Sequence, residues 1–279
     1  MRDVTLLGVY RERVFSPGKI REDAAILDAT LTELSRTGYK TAVAEPKDLE
    51  RFSGRPAYVL GMAQSHRALD ILENWQKQGT RIINSVSSIR NTYRKPLHSL
   101  LAKACLPIPS SQMIQVEEAE RGISFGASDS YWLKRGDVHA TQPGDVAKVT
   151  SKEELIRALR HFRRQKIEEV LVQEHVGGEV IKFYGVGKGQ YFRAFLASNG
   201  EEVTDKMKAL STLAHRSAET VGLEIYGGDS ILTHKGEMIL IDLNDWPSFS
   251  RCCNSAAKGI AEYIMHVCKG GFNGLPSRC

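Results

Sequence analysis

The sequence predicts an α/β protein in which a parallel sheet is followed by lobes of α+β type. Residues 1–92 alternate short apolar runs with segments of helical periodicity, which is typical of a parallel sheet covered by helices. Beyond residue 107, apolar runs separated by turn residues indicate hairpins. A chain of 279 residues with 42% hydrophobic and 25% charged residues is long enough for two or three lobes.

The first part of the chain predicts four strands and two helices. The strands are 4–9, 41–44, 57–62 and 81–84; one helix carries Ile20, Ala24, Leu27, Leu31 and Leu34 and ends at Gly38, and the other carries Ala68, Ile71, Leu72 and Trp75 and ends at Gly79. Loops 10–19 and 64–67 follow the first and third strands, where such sheets bind ligands. Their cations are either solvated surface charge or part of an anion-binding rim. No G-x-G-x-x-G follows the first strand, which argues against a nicotinamide site.

A helix predicted to begin at residues 91–93 has Arg94 and Lys95 in its first turn. Cations there oppose the helix dipole, so we expect them to meet anions. Pro107 and Pro109 end this helix and open the next segment.

Lys134 ends a strand at 131–134 and precedes the glycine-bearing loop 135–145, which leads to a strand at 146–149. A lysine before such a loop can surround phosphates, and the alternative is a long surface hairpin. Ser151 and Glu154 form a capping-box pattern at the start of the following helix.

Further strands are predicted at 171–174, 179–186 and 191–197, with a break at Gly177-Gly178. Lys182 and Arg193 lie on apolar strands, so we expect anionic partners, either the acids of the next hairpin or a bound phosphate. A helix at 204–221 ends at Gly222, and the last helix carries Ala256, Ile260, Ile264 and Val267.

A β-hairpin at 227–244 carries the most informative pattern. A turn centred between Lys235 and Gly236 places Asp229 opposite Asp242, with Asn244 on the same face as Asp242. That face also carries Ile231, Leu240 and Met238. Two facing carboxylates about 5 Å apart repel each other, and hard oxygen ligands suit Mg²⁺. The alternative is a pair of surface acids at the end of a hairpin.

The composition limits which ligands and which cellular compartment we expect for this protein. The formal net charge of +5 suggests an anionic ligand, and without an aromatic-interleaved basic patch it does not favour nucleic acid. No apolar run has the length of a membrane span, and the first residues lack a signal-peptide pattern. Five cysteines without paired spacing predict a cytoplasmic location and no disulfide framework or thiolate metal site.

These motifs in this order resemble the ATP-grasp superfamily, in particular its branch of RimK-type ligases and inositol trisphosphate kinases. The resemblance covers roughly residues 90 to 260 and rests on Arg94-Lys95, Lys134, "LVQEHV", Lys182, "GLEIYGGDSIL" and "IDLNDWPSF". It implies an ATP-grasp fold with an N-terminal parallel α/β domain at 1–92, a central lobe at 93–178 and a C-terminal lobe at 179–279. Three departures are Arg135-Gly136-Asp137-Val138-His139 in place of a small-residue loop, Ser248 in place of Gly, and Asp rather than Glu at the second metal acid.

The resemblance also implies a ligand set of ATP with Mg²⁺, or Mn²⁺, held between the central and C-terminal lobes. The implied roles are phosphate contacts for Arg94, Lys134 and Lys182, closure over the phosphates by loop 135–145 with His139, adenine contacts for Gln173, Glu174 and Val176, a ribose contact for Glu179, metal binding by Asp229, Asp242 and Asn244, and acceptor contacts for Arg193 or Arg251.

Three functions follow as alternatives. The first is a carboxylate–amine ligase that phosphorylates a small anionic acceptor with Mg-ATP and proceeds through an acyl phosphate. The second is a kinase of a phosphorylated polyol, supported by the kinase-like strands and the arginine-rich first loop. The third is a nucleotide-binding protein without catalysis, against which the complete set of metal-binding residues argues. The sequence does not specify the acceptor or the oligomeric state, and an oligomer is compatible with it.

Overall fold

The computed structural model describes residues 5–52, 54–122, 130–138 and 140–270. Within these residues the strands are β1 (Thr5–Val9), β2 (Lys40–Ala44), β3 (Tyr58–Gly61), β4 (Arg81–Ile83), β5 (Ser111–Gln115), β6 (Tyr131–Arg135), β7 (Val146–Val149), β8 (Glu169–Glu174), β9 (Glu179–Val186), β10 (Tyr191–Leu196), β11 (Ile225–Leu232) and β12 (Met238–Asp245). The α-helices are α1 (Ile20–Arg36), α2 (His66–Lys77), α3 (Val86–Asn91), α4 (Arg94–Lys103), α5 (Val116–Gly122), α6 (Lys152–Arg164), α7 (Met207–Val221) and α8 (Cys253–Cys268). Short 3₁₀ helices occupy Arg13–Phe15 and Pro46–Arg51.

The N-terminal strands form a parallel sheet in the order β2-β1-β3-β4, as predicted. Alternate residues of β1 point to opposite faces, so Leu6 packs with α1 and α8 and Leu7 packs with α2 and α3. Both faces are therefore covered by helices, which explains the continuous apolar character of these strands.

The other strands form two antiparallel sheets. The order β5-β8-β6-β7 makes a central sheet, which packs against α5 and α6 through residues such as Leu133 and Phe162. The order β10-β9-β11-β12 makes a C-terminal sheet. One face of this sheet packs against α4 and α7 around Phe183 and Leu243. Its other face supplies Tyr184 and Val186 to the core that contains α1 and α8.

Polar contacts connect β4 of the N-terminal sheet to the start of β11 in the C-terminal sheet. Arg81 donates two hydrogen bonds to the Glu224 carboxylate, at 2.8 and 2.7 Å. Asn84 donates to the Ile225 carbonyl at 2.7 Å and accepts from the Glu224 and Ile225 amides. These contacts hold β4 and the residue that follows it beside the start of β11.

Several local predictions need correction. The helix predicted to begin at residues 91–93 is α4, which starts at Arg94 after Tyr93 in extended conformation, whereas the short helix α3 that ends at Asn91 was not predicted. Strand β5 and helix α5 were not predicted, since β5 is a short, half-exposed edge strand with mixed polarity. In the capping box, Ser151 accepts from the Glu154 amide as expected, but the Glu154 carboxylate accepts from Thr150.

The hairpin register differs from the prediction near the turn. Ile231 pairs with Ile239 and Ser230 with Leu240, so the turn is centred on Lys235. Asp229 nevertheless pairs with Asp242, because the register shifts between Asp229 and Ser230 and leaves Ile241 as a bulge residue.

The predicted sharing of one face by Leu240, Met238 and Asp242 is therefore wrong. The bulge reverses the alternation, so Leu240 and Leu243 lie in the same buried core and Met238 packs against it. Asp242 and Asn244 line a cleft instead.

No helix in the described part of the chain is both long and apolar enough to cross a membrane.

Candidate functional site

A cleft of about 300 Å³ lies between the C-terminal sheet and the loops at the carboxyl ends of the N-terminal sheet. We define its hairpin side by Arg94, Lys182, Asp229, Asp242 and Asn244, and its loop side by Arg11, Ser16, Lys19, Asp23, Gln64 and Asp245. The remaining lining residues include Phe15, Ala140, Val146, Tyr184 and Ser248. Charged groups from four separate stretches of the chain thus meet in one concave space.

Asp229 on the hairpin side is paired with a lysine. Asp229 in β11 lies directly opposite Lys182 in β9, and Lys182 Nζ donates to Asp229 Oδ1 at 2.8 Å. Both side chains remain partly exposed, at 25% for Asp229 and 36% for Lys182. The predicted anionic partner of Lys182 is thus an acid of the hairpin.

Asp242 is paired with Arg94 from the first turn of α4. Arg94 Nη1 donates to Asp242 Oδ1 at 3.1 Å, and the arginine side chain is almost fully buried. Lys95, the next residue, donates to the Glu169 carboxylate at 2.8 and 2.9 Å. The expectation that cations at this helix start meet anions is confirmed for both residues.

Lys134 is a buried cation behind the hairpin side. Its ammonium donates to the Ile241 carbonyl at 3.3 Å. Burial, together with the charge of nearby Arg94, lowers the pKa of Lys134 to about 8 against the opposing charges of Asp242 and Asp229. An anionic ligand beside this lysine would favour its charged form.

The hairpin side offers oxygen ligands that suit a hard cation. Two facing carboxylates and the Asn244 carboxamide, whose Nδ2 lies 3.4 Å from Asp242 Oδ2, supply oxygen ligands of the kind Mg²⁺ prefers. In the described residues no group of three or more His, Cys, Asp or Glu side chains is placed to hold a metal ion. A metal here would therefore depend on two carboxylates, a carboxamide and ligands from outside the chain, such as water or phosphate oxygens.

The loop between β6 and β7 is organised around one buried carboxylate. Asp145 Oδ2 accepts from Arg135 Nη1 at 2.9 Å, from the amide and hydroxyl of Thr141, and from the Gln142 amide. Burial acts to raise the pKa of Asp145, but these hydrogen bonds outweigh it and lower the pKa below the ordinary value. Ala140 reaches the cleft, and Val138 packs against the core of the N-terminal sheet. The described part of the loop therefore spans the cleft, while His139 lies outside the described residues.

The residues predicted for adenine and ribose lie along β8 and the start of β9. Gln173 is buried and donates to Ser111 Oγ at 3.3 Å, and the Glu174 amide donates to the Ser110 carbonyl. Val176 is half-buried, and Glu179 accepts from Ser198 Oγ at 3.1 Å. None of these four is among the described residues that line the cleft.

Arg193 and Arg251, predicted for the acceptor, lie elsewhere. Arg193 is ion-paired with Glu202 on the exposed surface of β10. Arg251 donates to the carbonyls of Leu196 and Ala197, at 3.1 and 3.3 Å. The structure brings neither arginine to the described cleft lining.

The loop side contains residues that sequence reasoning missed. Arg11 donates to the carbonyls of Met62, Asp245 and Trp246 at 2.8 to 3.2 Å, and its Nη1 lies 3.6 Å from Asp23 Oδ2. This arginine joins the end of β1 to the end of β12. The sequence indicated only a cation-rich loop, because the carbonyl partners lie as many as 235 residues away.

Asp245 is the other missed residue. It is 1% exposed, and its Oδ1 accepts from Gln64 Nε2. Its Oδ2 accepts no hydrogen bond from a described residue. Burial raises the pKa of Asp245 to about 6 against the opposing charge of Arg11. The only sequence signal was an acid directly after Asn244.

Comparison with solved structures identifies proteins that share this architecture. The RimK-domain ATP-grasp protein from Sphaerobacter thermophilus superposes with a TM-score of 0.70 at 20% identity, covering 93% of this chain and 98% of the other. The D-alanine–D-alanine ligase from Bacillus anthracis, solved with ATP, gives 0.73 at 12% identity, covering 96% and 100%. The ATP-grasp ligase PsnB, solved with precursor peptide PsnA2 and AMPPNP, gives 0.64 at 16% identity, covering 94% and 98%.

These similarities establish that the chain has the ATP-grasp fold, as its motifs predicted. No family model matches the sequence, and no curated protein matches it significantly. At identities of 12 to 20%, the structural likeness concerns the fold and does not show the reaction.

Proposed function

We propose that this protein is an ATP-dependent ligase that joins a carboxylate to an amine through an acyl phosphate. The observation that carries the proposal is the composition of the cleft. Its hairpin side holds cations and paired acids suited to a metal-bound triphosphate, and its loop side opens into the same space. A phosphoryl group and an acceptor can therefore meet without a rearrangement of the sheets.

In the first step, an acceptor carboxylate oxygen attacks the γ-phosphorus of ATP. The bond from that phosphorus to the bridging oxygen breaks, and ADP leaves with the bonding electrons. In the second step, an uncharged amine nitrogen attacks the acyl carbon and the carbon–oxygen bond to phosphate breaks. The products are an amide, inorganic phosphate and one proton.

The chain's own cations stabilise the transferring phosphoryl group. Lys182, Lys134 and Arg94 surround the two acids, and in the ATP-bound protein we assign them to the phosphate oxygens. Asp229, Asp242 and Asn244 would hold Mg²⁺, which neutralises phosphate charge when bound. Lys182 and Arg94 currently occupy one oxygen of each acid, so this assignment requires them to turn from carboxylate to phosphate.

The remaining assignments complete the ATP site. Gln173, Glu174 and Val176 would contact adenine and Glu179 the ribose, with the loop at 135–145 over the phosphates. We assign the acceptor contacts to the loop side rather than to Arg193 and Arg251, because the loop side lines the same cleft as Lys182. The three proposed lobes remain 1–92, 93–178 and 179–279.

Charge on the loop side favours the ligase over the kinase. Among its described residues, Arg11 and Lys19 are cationic, while Asp23 and Asp245 carry carboxylates. Arg11 is also already occupied by three backbone carbonyls and lies near Asp23. A polyol carrying several phosphates would meet two carboxylates and few available donors there, so the arginine-rich loop does not support a kinase.

The test is phosphorus NMR of the protein with ATP and Mg²⁺. One sample receives the twenty protein amino acids as carboxylates and amines, and another receives inositol phosphates. ADP with free phosphate only in the first sample would support the ligase. A new phosphate ester without free phosphate, or no ADP in either sample, would contradict it. Lys182→Met serves as the control, because it should abolish any turnover that belongs to this cleft.

A further inference from the structure

Asp245 is a buried acid that the proposed ATP site does not use. Its side chain lies at the end of β12 and contributes to the loop side of the cleft. Gln64 Nε2 donates to Oδ1, and the main chain at Gln64 is fixed because its backbone carbonyl accepts from the Tyr93 hydroxyl at 2.5 Å. Oδ2 is enclosed and accepts no hydrogen bond from a described residue. The carboxylate is thus held in one orientation with one acceptor oxygen unused.

The neighbouring arginine does not neutralise this carboxylate by direct contact. Arg11 Nη2 donates to the backbone carbonyls of Asp245 and Trp246, and its Nε donates to Met62. Its Nη1 lies near Asp23, whose Oδ2 also accepts from Ser16 at 2.6 Å. Asp23 is therefore a satisfied acid within the chain, whereas Asp245 lacks a bonded cation. A buried acid without one is costly unless a ligand supplies the missing donor.

We infer that Asp245 determines specificity for the acceptor amine by accepting a hydrogen bond from its amino group at Oδ2. This inference rests on the proposed ligase function and names one partner in it, a primary amine. An uncharged amino group keeps N–H donors of the right size for an enclosed carboxylate oxygen, and an anionic or purely acceptor group is excluded there by repulsion. Gln64 positions the carboxylate, and Asp245 contacts the substrate.

The experiment separates amine recognition from acyl-phosphate formation. Hydroxylamine is a small nucleophile that is uncharged at neutral pH and traps acyl phosphates. ADP release is first measured with ATP, Mg²⁺ and each of the twenty amino acids as carboxylate, with hydroxylamine as nucleophile. The carboxylate that supports release is then used with ammonium chloride and with each amino acid as amine.

The variant is Asp245→Asn, compared with wild type and with Asp28→Asn. The carboxamide introduced by Asp245→Asn keeps an oxygen for Gln64 Nε2 and replaces the acceptor Oδ2 with a donor, so the local hydrogen bond survives. Asp28 is a surface acid on α1 that accepts from the Tyr10 hydroxyl and does not line the cleft. We expect KM for the amine to rise about tenfold or more in Asp245→Asn, with hydroxylamine-dependent release and the KM for ATP unchanged. Asp28→Asn should match wild type in all three.

The other outcomes overturn the inference in distinguishable ways. If both nucleophiles react as in wild type, Asp245 does not contact the amine. If ADP release with hydroxylamine and ADP release with the amine fall together, Asp245 acts through the fold, and specificity lies elsewhere. If wild type releases no ADP with any carboxylate and hydroxylamine, the proposed ligase function fails and this inference fails with it.

Discussion

Asp229 and Asp242 face each other across β11 and β12 because a bulge at Ile241 corrects a shift at the turn. Without the extra residue, the register at the turn would carry through the hairpin and place Asp242 out of line with Asp229. The bulge also directs Leu240 and Leu243 into one core and leaves Asp242 and Asn244 to the cleft. The metal-binding arrangement we propose therefore depends on an irregularity in the strand.

Replacement of Asp242 tests the metal assignment. We expect Asp242→Asn to lower Mg²⁺-dependent ADP release by about 100-fold or more, because it removes one of two carboxylate ligands. Stability should fall by about 1–3 kcal/mol, since buried Arg94 loses its charged partner. Activity is measured by coupled ADP detection and stability by urea unfolding. Asp70→Asn, which removes a surface acid paired with Arg90, should leave both unchanged. Full activity in Asp242→Asn would rule out this metal site.

Glycine at position 228 lets the two strands approach beside the acids. A Cβ there would lie 2.2 Å from the Asp242 carbonyl oxygen and 2.7 Å from the Phe183 ring. We expect Gly228→Ala to lose about 1–3 kcal/mol and to weaken Mg²⁺ binding, because the backbone of β12 must move away.

Gly177→Ala is the matched control for that change. Position 177 has nothing within 4 Å of an added Cβ, so this variant should unfold at the wild-type urea concentration. Isothermal titration with MgCl₂ in the presence of AMPPNP measures the binding. Equal stability of the two alanine variants would show that the close approach at Gly228 is not required.

We expect Lys134 to lower the stability of the folded protein while it supports ATP binding. Its pKa in the folded protein, about 8, lies below the ordinary value of 10.5, so folding disfavours the charged form. The cost applies in full below pH 8, declines as the pH rises from about 8 to 10.5, and disappears above that range. We expect Lys134→Met to be more stable than wild type at pH 7, by about 3 kcal/mol at most, and to bind ATP more weakly.

The measurement is urea unfolding at pH 7 and pH 10, together with titration of ATP at pH 7. The stability gain of Lys134→Met should shrink at pH 10. Lys148→Met, which changes an exposed lysine of β7, should show no pH-dependent gain. A gain of equal size at both pH values would contradict the charge-based explanation.

The buried carboxylate of Asp145 should control the order of the loop after β6. Asp145→Ala removes four hydrogen bonds around a fully buried group, so we expect a loss of about 3 kcal/mol, protease cleavage near residues 136–144 and a higher KM for ATP. Asp137→Ala provides the control, because it removes an exposed acid from the same Arg135 and should cost about 1 kcal/mol or less. Limited proteolysis with mass spectrometry distinguishes the two variants. Equal cleavage in both would mean that Asp145 does not organise the loop.

Features that depend on local patterns could be predicted from the sequence. Periodicity predicted the parallel sheet and its helices, because the spacing of apolar residues within each strand or helix shows which of its faces is buried. The cations at the start of α4 indicated that anions would meet them, because they oppose the dipole of their own helix. The ordered set of motifs was sufficient to identify the ATP-grasp fold.

Features that depend on distant partners could be seen only in the folded protein. Arg11 and Gln64 meet the end of β12 from 234 and 181 residues away, and nothing near them in the chain signals that contact. The bulge at Ile241 lies within an apolar run where either register buries acceptable side chains, so packing against α7 and the cleft selects one. Burial and hydrogen bonding between distant segments therefore created the loop side of the cleft, including the unused oxygen of Asp245.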